Sequence, residues 1–256
     1  MVDIHSHIIP YIDDGAKSLD VAIAMLKKAE ESGTEKIILT PHYLNGKSDK
    51  TILEVKALTE KIKEIAQRQN IKIEIYYGQE ILYTNSLIKN FLEGKIGTLN
   101  NTRYMLIEFL EESIDKKVIS DLCELKLRGI VPIIAHPERH KDFIDNPSYI
   151  NEFAQAGALF QLDACSIENV FGDNARKTAE VFLRNKIYSF IGSDAHNTRS
   201  RTTDISRYKS KIERVNLKFI NDSNKNGKKL LNNEEVKFKG KKIEQKSNFS
   251  FSLFIS

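Results

Sequence analysis

Along this chain, short apolar runs rich in β-branched residues alternate with longer stretches in which apolar residues recur every three or four positions. The first run is Val2–His5. It is followed by Ser18–Gly33, where Leu19, Ala22, Ile23, Leu26 and Ala29 mark one face of a helix and Gly33 supplies a C-terminal stop. KIILTPH (Lys36–His42) precedes a helical pattern over about Lys50–Gln69, and IKIEIYYGQE (Ile71–Glu80) comes next. RYMLIEF (Arg103–Phe109) leads into a helix over about Asp115–Gly129, IVPIIAH (Ile130–His136) into one over about Pro147–Gly157, and ALFQLDA (Ala158–Ala164) into one over about Asn174–Asn185. KIYSFIGSD (Lys186–Asp194) ends the series.

Seven strand candidates in this rhythm predict an α/β fold. Their near-continuous apolar character is that of strands buried on both faces, as in a parallel sheet. A closed parallel barrel of seven strands, an irregular relative of the eight-stranded form, fits the pattern. The length of 256 residues suits one such domain. The rhythm breaks in EVKFKGKKIEQKSNFSFSLFIS, which is Lys-rich and then Ser/Phe-rich. The expected organisation is therefore a single domain over 1–232 and a C-terminal tail over 233–256, either disordered or an added strand.

Hydrophobic residues make up 41% and charged residues 29%, ordinary for a globular protein, and no apolar stretch approaches the length of about 18 residues that spans a membrane. The opening MVDIHSHIIPYIDDG lacks the basic start and apolar run of a signal peptide. The formal charge is +4, and the tail, with five lysines against three glutamates, holds about half of it. Charge thus gives nucleic-acid binding no support. Cys123 and Cys165 form no CxxC pair, which fits a reduced, cytoplasmic protein. Neither cysteine has an arginine at the spacing of a CxxxxxR phosphate loop, since Arg128 follows Cys123 one residue too early.

Five of the six histidines fall at strand ends together with acidic residues. His5 and His7 end strand one, His42 strand two, Glu80 strand three and Glu108 strand four. His136 closes strand five, and Asp194 with His196 closes strand seven. In a parallel barrel these ends converge on one mouth, where active sites are built. A lone histidine at a strand end is usually structural, but so many candidate ligands at one end of seven strands predict a metal site. Alternation along HSH sends His5 and His7 to the same face, so both can hold one ion. Asp13 and Asp14 lie on the following loop, and one of them could close over another.

Imidazole and carboxylate without thiolate argue against a closed structural zinc site and suit manganese, iron or zinc in a catalytic cluster. So many ligands fit two or three ions. Two ions about 3.5–4 Å apart form a standard device for in-line phosphoryl displacement by a bridging hydroxide.

The motifs DIHSHIIPYIDDGAKS, TPHY, YYGQEI, LIEF, AHPERH and GSDAHN, in this order over about residues 1–232, resemble the PHP (polymerase and histidinol phosphatase) superfamily. Within it they resemble the bacterial manganese-dependent tyrosine-protein phosphatases of capsule and exopolysaccharide loci. The resemblance implies a distorted seven-stranded, TIM-like (β/α)7 barrel. It also implies three metal ions, where the ligand count alone gives two or three, with Mn2+ first and Fe, Co or Zn as alternatives, on His5, His7, Asp14, His42, Glu80, Glu108, His136, Asp194 and His196. Asp14 enters on this resemblance alone. Arg139 in HPER and Arg201 in SDAHNTRSR match phosphate-binding positions, and planar guanidinium suits phosphate oxygens. His140 is assigned no role beyond structure. The implied substrate is phosphotyrosine on a protein, a tyrosine kinase of polysaccharide export, with no nucleic acid and no membrane insertion. Two other readings share these residues: a histidinol-phosphatase-like or other small-molecule phosphoesterase, and a catalytically inactive metal-binding regulator. One departure stands near the end, where NGKKLL replaces the Asn-Pro that precedes the Leu-Leu pair in the resembling sequences.

Overall fold

The computed structural model describes residues 1–44, 46–110 and 114–244. Its strands are β1 (Val2–Asp3), β2 (Lys36–Leu39), β3 (His42–Tyr43), β4 (Glu74–Tyr77), β5 (Glu80–Leu82), β6 (Tyr104–Glu108), β7 (Val131–Ile134), β8 (Leu159–Asp163) and β9 (Phe190–Gly192). Every pairing between these strands is parallel. Two ladders result, β1-β2-β4 and β3-β5-β6-β7-β8-β9. They are parts of one curled sheet, because β3 resumes β2 beyond Thr40-Pro41 and β5 resumes β4 beyond Gly78-Gln79. Proline has no N–H to give a ladder, so the break falls there. Gly78 N still donates to Leu39 O and Glu80 N to Pro41 O, which keeps the two lines adjacent through the interruption.

Seven strand positions follow, as the pattern predicts. The closure between the first and last is partial. It rests on hydrogen bonds from Ile4 N to Ile191 O, His7 N to Ala195 O and Asp194 N to His5 O, with an isolated parallel bridge at Ser6 and Ala195.

Alternation along the strands explains why their runs are apolar throughout. Ile38, Tyr104, Leu106, Ile133, Leu159 and Phe190 face the barrel interior and pack together. Their neighbours Met105, Ile107, Ile134, Phe160 and Leu162 face outward into helices. Ile37, Leu39 and Ile75 do the same on the other side.

The helices are α1 (Leu19–Glu31), α2 (Ile52–Arg68), α3 (Leu87–Leu92), α4 (Lys117–Leu127), α5 (Lys141–Asp145), α6 (Ile150–Ala156), α7 (Asp173–Arg184), α8 (Lys209–Val215) and α9 (Phe219–Leu231). Ser18 caps α1, and Thr51 with Glu54 forms a capping box on α2. Periodicity located five of them (α1, α2, α4, α6 and α7). It did not announce α3, α5, α8 or α9.

Helix α9 runs through Gly227, where an added Cβ would lie 2.7 Å from Val2 Cβ, so the helix lies directly on β1. Residues 234–244 of the expected tail form neither helix nor strand, yet Val236, Phe238 and Ile243 turn inward and pack. Val236 joins the interior cluster, and its N–H donates to the Tyr104 hydroxyl, which itself donates to Glu234 O. Phe238 meets Phe160, and Asn151 exchanges two hydrogen bonds with the Ile243 backbone. The rest of the expected tail, 245–256, lies outside the described residues.

Candidate metal centre

The residues after β1 leave the strand in extended form. Ser6 donates its hydroxyl to Ile38 O and its N–H to Thr40 Oγ1, so Ser6 faces β2 while His5 and His7 both face the mouth. The sequence places His42 and Glu80 at the ends of strands two and three. In the structure they are instead the first residues of β3 and β5, just past the breaks, and they stand opposite each other in register. Glu108 ends β6. His136 and Asp194 follow β7 and β9 with φ of 28° and 46°, backbone values that turn the chain sharply and that few non-glycine residues adopt.

These side chains meet in three overlapping groups: His7, Asp14, His42 and His196; His5, His7, Glu80 and Asp194; and His42, Glu80 and Glu108. Glu80 Oε2 lies 3.0 Å from His5 Nε2 and 3.1 Å from both His7 Nε2 and His42 Nδ1. Asp194 Oδ1 lies 3.2 Å from His7 Nε2, and Asp14 Oδ1 lies 3.2 Å from His196 Nε2 and 3.4 Å from His42 Nε2. Despite these approaches, Glu80 Oε2, Asp194 Oδ1, His42 Nδ1 and His196 Nε2 are buried without a hydrogen bond among the described residues. Buried polar atoms are normally paired. Atoms this close that do not pair along a donor direction converge on common points, which is the geometry of shared metal ligands. Oxygen and imidazole donors suit divalent ions of the first transition row. His136 stands apart from the three groups and joins them through Glu80 Oε1 at 2.7 Å.

Three of the rings are turned with one nitrogen inward because the opposite nitrogen is engaged. His7 Nδ1 lies 2.8 Å from Asp13 Oδ2, His5 Nδ1 lies 3.1 Å from Gln161 Oε1, and His196 Nδ1 lies 2.9 Å from Asp194 O. Each contact commits one nitrogen as donor and turns the other's lone pair inward, the usual outer-shell device at metal sites. Sequence reasoning missed Asp13 and Gln161 in this role. The available signal for Asp13 was Gly15. A Cβ there would sit 2.2 Å from His7 O, and only a glycine lets the loop fold back so that Asp13 reaches His7, His42 N and Gly15 N.

Charge within the cluster is strongly coupled. Burial alone would push Glu80 and Asp194 up, but surrounding positive groups outweigh it, His5 first in both cases, and hold both carboxylates well below their usual range. Burial pulls His42 down, yet Glu80, Asp14 and Glu108 raise it to about 10. His7 is raised well above its ordinary value against the same burial cost, through Asp13, Asp194 and Glu80. His136 moves the other way, to about 4, because burial is reinforced by the Arg139 charge.

Both sequence-predicted arginines reach the cluster from its far side. Arg139 Nη1 donates to Asp194 Oδ2 at 2.6 Å and Arg201 Nη2 donates to the same oxygen, so Asp194 faces imidazoles with one oxygen and guanidiniums with the other. Arg201 Nε is a further buried donor without a hydrogen bond among the described residues. Arg199 is exposed. Arg139 belongs to a turn held from below by Glu138, whose carboxylate accepts from Asp163 N and the Tyr188 hydroxyl. Burial, with the Asp163 charge, pushes Glu138 up to about 7. His140 lies near Leu110 O through Nε2 and accepts from Asp142 N at Nδ1. Asp14, His42, Glu80, Glu108, His136, Asp194, His196 and both arginines open onto one cavity of about 380 Å3, which Phe109, Leu110 and Phe171 also line, with His5 and His7 behind it.

Residues 1–234 match the family described as capsular polysaccharide synthesis, CpsB/CapC. The chain is 34% identical over 237 residues to CapC of Staphylococcus aureus, covering 92% of this chain and 93% of the relative. It is 31% identical over 201 residues to the tyrosine-protein phosphatase YwqE of Bacillus subtilis, covering 78% and 79%. A crystal structure from work on YwqE and on CpsB of Streptococcus pneumoniae, described there as unique metal-dependent tyrosine phosphatases, superposes with a TM-score of 0.88 at 27% identity. The match covers 95% of this chain and 100% of that one.

Proposed function

Because this chain belongs to the CpsB/CapC family of capsular polysaccharide synthesis, we propose that its cluster works with manganese and that its substrate is the phosphotyrosine of a polysaccharide-export kinase. The protein is a metal-dependent protein-tyrosine phosphatase related to CpsB and YwqE, acting in exopolysaccharide and capsule systems. One observation carries the finer reading. Three ligand groups that share His7, His42 and Glu80 stand beside two arginines on the same cavity.

In this reading His5, His7, Asp14, His42, Glu80, Glu108, His136, Asp194 and His196 hold two or three ions. Divalent ions there would supply Lewis acidity toward a phosphoryl oxygen and lower the pKa of a bound water. Asp13 and Gln161 keep His7 and His5 in the tautomer that presents Nε2. Arg139 and Arg201 bind the phosphoryl oxygens and offset charge on them as the bond to the leaving group breaks. They carry donors on planar forks, which fix the orientation of the group as well as its charge. The leaving phenolate has an ordinary pKa of about 10, low enough to depart with little help, so no residue is assigned as general acid. Cytoplasmic placement belongs to the same proposal. It is supported by two free cysteines, and no helix among the described residues is long and apolar enough to cross a membrane.

A substrate panel tests the proposal. With manganese added, phosphotyrosine peptides should be hydrolysed well ahead of phosphoserine peptides, histidinol phosphate and single-stranded DNA. Preference for histidinol phosphate would overturn the substrate class. Fewer than two ions per chain by elemental analysis would overturn the cluster assignment.

A further inference from the structure

Phe171 has no part in the chemistry above, yet it lines the same cavity. It ends the short turn Asn169–Phe171 that follows β8, and it is half-buried there. The guanidinium carbon of Arg139 lies 4.1 Å from the centre of its ring, and that of Arg201 lies 5.8 Å from it. The two arginines come from different loops, one after β7 and one after β9, and a single ring serves both. We propose that Phe171 is a positioning residue, whose ring sets the orientation in which Arg139 and Arg201 receive the phosphoryl group. The proposal rests on the reading of these arginines as phosphate ligands.

The geometry makes the two contacts of each arginine compatible. Guanidinium stacks through its face, which is weakly hydrated, and hydrogen-bonds through its edge. The negative face of a phenyl ring attracts the cation without consuming a donor. Asp194 Oδ2 already fixes one end of each fork. Arg139 Nη1 also reaches Asp163 Oδ2 at 3.5 Å, but through the same end of the fork. Each guanidinium can therefore still turn about that end, and the ring beside it limits the turn. Phe171 therefore supplies the second constraint that a bidentate phosphate clamp requires, and it keeps water from that face.

The test uses the full-length, manganese-loaded protein with Phe171→Leu and Phe171→Tyr. Arg139→Ala and Arg201→Ala are measured in parallel. Readouts are inorganic phosphate affinity by calorimetry, metal content, and KM and kcat on a phosphotyrosine peptide. Phe171→Leu keeps apolar bulk without the ring, and phosphate affinity should fall about 2- to 30-fold with metal content unchanged. Phe171→Tyr should stay close to wild type. Combining Phe171→Leu with Arg139→Ala should cost less than the product of the single effects, as for residues acting through one contact.

Wild-type phosphate affinity in Phe171→Leu, alongside losses in both arginine variants, overturns the proposal and leaves the arginine reading standing. Undiminished affinity in Arg139→Ala and Arg201→Ala overturns the arginine reading and this proposal with it. If Phe171→Leu raises KM for the peptide while phosphate affinity holds, the ring meets the substrate's own aromatic group instead. Should Phe171→Leu misfold, Phe171→Met gives the same comparison, and metal loss in both variants would make Phe171 a structural residue only.

Discussion

His7 has one nitrogen turned to Asp13 and the other turned among Glu80, Asp194 and His5, so its orientation is fixed before any ion arrives. Asp13→Ala should therefore lower metal affinity about 10- to 100-fold, the usual scale for an outer-shell partner, while the fold survives. Calorimetric titration with manganese checks this, and unchanged affinity would refute the orienting role. The arginines make the complementary case. Both hold the far oxygen of Asp194, so their loss can loosen metal binding, but neither is itself a ligand and saturating manganese separates the two effects. In saturating manganese, Arg139→Ala and Arg201→Ala should keep full metal content and each lose about 10- to 150-fold in kcat/KM, from roughly 1.5–3 kcal/mol per charge-assisted hydrogen bond. Arg199→Ala is the control and should behave as wild type. Damage from Arg199→Ala with a silent Arg201→Ala would move the assignment by two residues. The ligand candidates were legible because strand ends of a parallel barrel converge and HSH alternates. The role of Asp13, six residues from His7 on the same loop, was hinted at only by Gly15. That of Phe171 was not hinted at, because a ring under two arginines is a relation across loops that no local spacing encodes.

The pieces of β2–β3 and β4–β5 show what periodicity reads well and what it misses. KIILTPH and IKIEIYYGQE look continuous because their apolar content is, and the register is the same on both sides, yet Pro41 has no N–H to donate and the ladder is interrupted there. The five helices with strong apolar faces were visible. Helix α9 was hidden by its Asn, Lys and Gly content, and it is held by what it packs on. Gly227 measures that packing. An alanine in a helix interior ordinarily gains about 1 kcal/mol over glycine. Here its Cβ would meet the buried, β-branched Val2 at 2.7 Å, and overpacking of this kind costs about 1–3 kcal/mol. Gly227→Ala should thus be net destabilising, or at best neutral, in thermal melts, and Val2→Ala placed beside it should recover part of the loss. A clear rise in Tm would show that α9 is free to move off β1.

For the molecule as a whole, the lysine-rich sequence after α9 masked an inward set, Val236, Phe238 and Ile243, that packs against the barrel, as the lysines beside it face solvent. The cluster at the opposite end behaves as one titrating unit. His42 is raised to about 10 and His7 is raised as well, so at neutral pH both carry protons that an ion must displace. Binding therefore releases protons, and affinity should rise steadily between about pH 6 and 8. Manganese titrations in buffers of different ionisation enthalpy would detect the release, and a flat pH profile would contradict it. The seam that joins the first strand to the last has a consequence for how the protein is made. Ser193 N bonds Asp3 across a separation of 190 residues, and His5 and His7 meet Asp194 and His196 only along that seam. At about 5–20 residues per second, a ribosome delivers Asp194 and His196 about 10–40 s after His5 and His7. Until then the nascent chain carries seven of the nine candidate ligands and no guanidinium from the last loop, so hydrolytic competence cannot arrive before that loop is made.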